Sequence, residues 1–161
     1  MSDAKQMMFA KNLISVCING SKNGDFQGAL YHQYADDPIP FDSVIKLLIL
    51  VDELLDEWDF PQKSLDPRTF KAPNVVRNTR RTNSEDELVI DKIQQAYGTR
   101  NIQKQSGELG TFIVQIVYRQ NATWQGQVLM VETNEKKEFS SAMELLRIMD
   151  DSLKSRGILE I

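Results

Sequence analysis

Apolar and polar positions recur along this chain with two different periods, and the change of period marks out its elements. From Ile14 to Gly20, and again from Phe112 to Gln120, β-branched and aromatic residues predominate, the composition of a strand. Each run leads to a turn signal, Asn23-Gly24 or Asn121-Ala122, and then to a second strand-like run, Phe26 to Tyr34 or Trp124 to Glu132. Each reads as a hairpin. Past a polar connection the period lengthens to that of a helix. Val44, Leu47, Leu48, Val51, Leu54 and Leu55 share one face of a helix beginning near Ser43. Ala142, Leu145, Leu146, Met149 and Leu153 do the same after Ser141, which has capping-box spacing to Glu144. Leu48 and Leu146 are therefore expected inside.

The order β-β-α thus occurs twice, and the two occurrences are alike in sequence. Residues 13–55 align with 111–153 without a gap at a constant offset of 98, and 11 of the 43 pairs are identical, Ile18/Ile116, Gly28/Gly126 and Leu55/Leu153 among them. Chance matching would give about 6%. A lone hairpin with one helix buries too little to fold, so the two units are expected to pack together. The expected fold class is α+β: a tandem β-β-α repeat forming a pseudo-twofold, four-stranded antiparallel sheet with both helices on one face. One domain over 1–161 would comprise a first unit at 12–58, a basic and polar linker at 59–110, and a second unit at 111–157. Within the linker, Ser84 to Glu87 has capping-box spacing, Val89, Ile93, Ala96 and Tyr97 fall on one face, and Gly98 can end a helix. This predicts a linker helix near 85–97, between loops at 64–83 and 99–110 that read as mobile.

Hairpins centred on the two turns would oppose residues whose numbers sum to 47 in the first unit and 245 in the second. Phe112, Val114 and Ile116 then share the helix-facing side with Leu129 and Val131. The other side would carry Ile113, Val117, Trp124, Val128 and Met130, with Cys17, Phe26 and Leu30 from the first unit. A sheet apolar on both sides needs a second cover, either the linker helix or a partner. Phe26, Gln27, Trp124, Gln125, Val128 and Met130 are the candidate partner-binding residues. Four of them stand in the repeated Asn-x-x-(Phe/Trp)-Gln-Gly, whose glycine marks a bulge or a close backbone approach. The same register would make Cys17 and His32 diagonal neighbours, a candidate nucleophile and base without any evident third group.

Composition narrows the chemistry. In 161 residues there is one cysteine and one histidine, which excludes an internal disulfide, multi-cysteine zinc motifs and a self-contained histidine metal site. No cofactor or metal is expected. The most apolar stretch, Ile45 to Val51, is far shorter than the roughly 20 residues of a spanning helix, so the chain is expected to be cytoplasmic with no membrane partner. Charge is unevenly spread: the net −4 divides into −6 over residues 1–61, +5 over 62–81 and −3 over 82–161. Acidic residues close both repeat helices, against the helix dipole. Arg68, Lys71, Arg77, Arg80 and Arg81, with Phe70 among them, form the basic concentration that could hold nucleic acid through its phosphates.

The segment Arg119-Gln-Asn-Ala-Thr-Trp-Gln-Gly126, followed by Phe139-Ser-Ser and Leu145-Leu-Arg-Ile-Met-Asp150, resembles a group of short uncharacterised bacterial proteins with a Trp-Gln-Gly hairpin before a Leu-rich helix. The resemblance implies no activity. The sequence as a whole suggests a non-enzymatic interaction or regulatory module that binds a protein partner, or itself, through an apolar sheet face. A nucleic-acid-binding regulator using the linker 62–81 is the alternative, and a small Cys17-dependent enzyme a more remote one.

Overall fold

The computed structural model describes residues 10–22, 25–61, 63–64, 88–120 and 123–155. It is α+β. In chain order the elements are β1 (Leu13–Lys22), β2 (Asp25–His32), β3 (Ile39–Phe41), α1 (Val44–Trp58), β4 (Lys63–Ser64), α2 (Val89–Tyr97), a 3-10 turn (Ile102–Lys104), β5 (Gly110–Gln120), β6 (Gln125–Met130), β7 (Glu135–Phe139) and α3 (Ala142–Ser155). Six strands form one antiparallel path, β3-β2-β1-β5-β6-β7, and β4 pairs in parallel with the end of β5. The expected four strands become six because each connection between hairpin and helix contributes a short edge strand. Pro40 in one and the run Glu135-Lys136-Lys137-Glu138 in the other gave these segments the look of loops. Both are features that suit an edge.

The halves share their register. Ile14↔His32 through Ile18↔Gly28 in the first hairpin correspond, at the offset of 98, to Phe112↔Met130 through Ile116↔Gly126 in the second. The edge pairs correspond too, Gly28↔Phe41 with Gly126↔Phe139. Between the halves, Ile14↔Val114 and Val16↔Phe112 exchange with each other, and Ser15 lies opposite Ile113 at the centre. The first hairpin keeps the expected sum of 47 near its turn, then drops to 46 beyond a bulge between Ile18 and Gly20. The second runs at 243 and then 242, not 245, with its bulge between Ile116 and Tyr118. A shift of three moves residues to the other face. The helix-facing side of β6 is therefore made by Val128 and Met130, while Leu129 and Val131 pack on the far side with Ile113.

Both helices cover the first face. Leu47, Val51, Leu54, Leu55 and Trp58 of α1, and Leu145, Met149 and Leu153 of α3, are buried over Val16, Ile18, Leu30, Phe112 and Ile116. Ser43 and Ser141 start the two helices alike, each hydroxyl accepting from the amide three residues on, Lys46 at 3.1 Å and Glu144 at 3.0 Å. The Glu144 carboxylate accepts from Ser140 N and Oγ, one residue before the expected capping-box partner, and these bonds hold its pKa below the ordinary value. The first helical amides are tied to the hairpins, Val44 N to Asp25 Oδ1 and Ala142 N to Thr123 Oγ1.

The linker helix α2 does not cover the second face. It buries Ile90 in the helix-side core, and Val89 and Tyr97 of its expected inner stripe are exposed. Its expected Ser84 cap lies outside the described residues. The second face is covered from 99–110, where Ile102 packs on Leu13, Ile113 and Leu129. That segment is held by Leu109 N donating to Ile18 O and Gly107 N to Thr111 Oγ1.

Leu48 and Leu146 are only partly buried, and the fully buried leucines of the two helices are Leu55 and Leu153. In urea unfolding, Leu55→Ala and Leu153→Ala are expected to cost about 3 kcal/mol each, and Leu48→Ala and Leu146→Ala about 1 kcal/mol. Gly28 and Gly126 face the bulges so closely that a Cβ would lie 1.9 Å from Cys17 O and 2.0 Å from Gln115 O. Alanine at either position is expected to lose ~3 kcal/mol by displacing the strand, and equal losses at both sites would check that the two bulges are equivalent.

Candidate interaction surface

The apolar residues expected to meet a partner are inside the monomer. Phe26, Trp124, Val128 and Met130 belong to the core beneath the helices. Gln27 is exposed, and Gln125, half-buried, donates Nε2 to Ser140 O at 3.3 Å. Their burial follows from the register: the bulges turn these even-numbered positions toward the helices. Arg68, Lys71, Arg77, Arg80 and Arg81 lie outside the described residues.

Cys17 and His32 are on opposite faces of the sheet. Cys17 pairs with Ala29 and sits among Ser15, whose Oγ is 3.7 Å from the sulfur, and the strand carrying Thr111. Burial pushes its thiol up from the ordinary value, which opposes thiolate formation. His32, opposite Ile14, points to the helix side, where its ring meets Trp58 edge-on at 5.5 Å and Tyr34 at 6.4 Å. Its Nδ1 accepts from Tyr34 N. The expected nucleophile and base are thus separated by the sheet. Among the described residues no three His, Cys, Asp or Glu side chains converge as a metal site, and no helix is long and apolar enough to cross a membrane.

Exposed large apolar side chains stand at Val89 and Tyr97 of α2, at Val117 and Tyr118 of β5, and on the outer side of the helix layer. Ile45 is 70% exposed, Ile49 46% and Met143 64%. Ile45 and Met143 correspond at the offset of 98, each in the first turn of its helix. Beside them a narrow apolar crevice of only about 10 Å³ lies between α1 and α3, walled by Leu47, Leu48 and Val51 on one side and by Leu145, Leu146 and Met149 on the other. On a helix, positions 45, 48 and 49 lie on one flank, as do 143 and 146. The exposed apolar residues are therefore continuous with the crevice. The sequence held the signal: Ile45 and Ile49, four apart, fall outside the core stripe of α1, and Met143 repeats the departure in α3.

The two helices carry seven carboxylates against three cations. Lys154 is paired with Asp150 at 3.0 Å, and Asp56 takes the buried Arg119 at 2.7 Å. Arg119 also donates to Pro61 O and Leu55 O, so the end of α1 is stitched to β5 by one guanidinium. Asp52 and Glu53 form no ion pair among the described residues. The helix layer is thus acidic overall, with exposed apolar residues among its charges.

Comparison with known proteins finds no match to this chain among protein-family models, curated proteins or solved structures. The surface is thus read on its own chemistry.

His32 gives the fold a pH dependence. Burial, and then the charge of Arg100, lower its pKa, so the unfolded chain takes up a proton at a higher pH than the folded one. The stabilisation is complete above the ordinary histidine value of about 6.5 and is lost as pH falls through the lower folded value. Unfolding free energy measured from pH 8 downward should decline below about pH 6.5, with a shallower decline in His32→Gln.

Proposed function

We propose that this chain is a non-enzymatic interaction module, fused from two copies of one β-β-β-α unit, and that it binds a protein partner over the apolar part of its helix layer. The observation that carries the reading is the matched exposure of Ile45 and Met143 beside the α1/α3 crevice. Exposed apolar residues scattered singly need no explanation, whereas Ile45 and Ile49 side by side on α1, with Met143 at the place matching Ile45, form the kind of apolar patch found at binding surfaces. A two-unit ancestry accounts for the shared register, the paired bulges and the paired serine caps together. The enzyme alternative has lost its Cys17/His32 pairing. The nucleic-acid alternative rests on 62–81 alone, while the described helix layer is acidic and repels phosphate.

The test is affinity capture from the source cell with three versions of the full chain: wild type, Ile45→Glu/Met143→Glu, and a Gln27→Ala/Gln125→Ala control. A protein held by the wild type and the control is expected to be lost about tenfold or more from the glutamate variant, while the thermal midpoints of all three remain close. Equal retention by all three would remove the helix layer from the function.

A further inference from the structure

The second face of the sheet is closed by a cover of a different kind from the helices. Residues 99–109 run across it as a strap between α2 and β5. Among the described side chains of the strap only Ile102 is buried, where it completes a cluster of Leu13, Ile113 and Leu129. Asn101, Gln105, Ser106 and Glu108 are exposed. Near its start the strap is held by Arg100, whose amide donates to Gln33 O at 2.7 Å and whose side chain pairs with the exposed Asp36. Near its end the amides of Gly107, Glu108 and Leu109 donate to Thr111 Oγ1, Asn19 Oδ1 and Ile18 O at 2.9, 2.9 and 2.8 Å. A Cβ on Gly107 would lie 2.6 Å from Ile18 N, so the strap rests backbone against backbone on β1.

Three features make this cover separable from the body. Ordering the strap costs conformational entropy at every residue, and one buried isoleucine with a few backbone bonds returns little against it. No strand pair of the six-strand path runs through it. Gly98, at φ 76° with open space where a Cβ would be, gives the chain a pivot at the end of α2. We infer that the strap is a self-cover that lifts while the sheet and the helices stay folded, opening an apolar floor of Leu13, Ile113 and Leu129. This surface is on the other side of the sheet from the helix layer and does not depend on the reading of that layer. Cys17 reports the opening. It is 2% exposed on the same face, its cross-strand partner Thr111 is the residue that holds Gly107, and its neighbour Ile18 holds Leu109. The end of the strap therefore crosses β1 beside the thiol.

The experiment is labelling of Cys17 by DTNB in the full-length protein over a urea series, read against global unfolding of the same sample. If the strap lifts alone, the thiol reacts well below the global transition at a rate nearly flat in urea, because so short a segment exposes little surface. Ile102→Ala removes the anchor and Gly107→Ala forces the strap off Ile18, and each is expected to speed labelling about tenfold or more. Leu55→Ala weakens the body alone and should leave the rate below the transition unchanged, whereas a thiol that waits for global unfolding would react about a hundredfold faster in it. A wild-type rate that climbs with urea in step with global unfolding would overturn the inference, and that observation requires no variant to fold. So would wild-type labelling as fast as in the unfolded chain, since nothing would then cover the thiol, or strap variants that label no faster than wild type.

Discussion

The pairing of β1 with β5 is the contact on which the rest of this structure depends. It joins two halves that would otherwise each be a three-stranded sheet with a single helix, too small to bury a core. Ile14 and Val16 meet Phe112 and Val114 on the helix side of this seam, and Leu13 meets Ile113 on the other. Because the seam is central and antiparallel, it also decides how the helices lie: side by side, in opposite directions, over one continuous layer of side chains. The crevice between α1 and α3 follows from that placement. A sheet joined at its other edges would have set the helices at its far ends.

Much of this was legible in the sequence because it rests on periodicity. The two hairpins, the two repeat helices and their serine starts follow from spacings that burial imposes on any chain. Register was not, since a bulge adds a residue without changing composition; Asn19 and Val117 look like any other strand residues. That one ambiguity moved Trp124, Val128 and Met130 to the wrong face and brought Cys17 and His32 together on paper. The edge strands escaped for a related reason, as Pro40 and Lys136-Lys137 protect an edge by being unlike a strand. Ile102, a single apolar residue in a polar stretch, gave no periodic signal at all, yet it anchors the cover of the second face.

The halves are alike in framework and different in detail. Trp58, His32 and Tyr34 form an aromatic group beneath the end of α1, and the positions matching His32 and Tyr34 hold Met130 and Glu132. Glu132 instead accepts from Thr111 N and Oγ1, closing the second face. Arg119 has Ser21 as its counterpart, so the guanidinium clasp exists once. Each half thus carries contacts that the other lacks, within a shared register.

The edge strands have a consequence for how the protein behaves among its own copies. Among the described residues the six strands in line end in two unpaired edges, and a free edge can template another strand indefinitely. Here one edge is three residues long with a proline at its middle, and the other presents a lysine pair between two glutamates. Growth by strand addition is discouraged at both ends of the sheet, so the sheet is built as a finished particle rather than as a segment of a fibre.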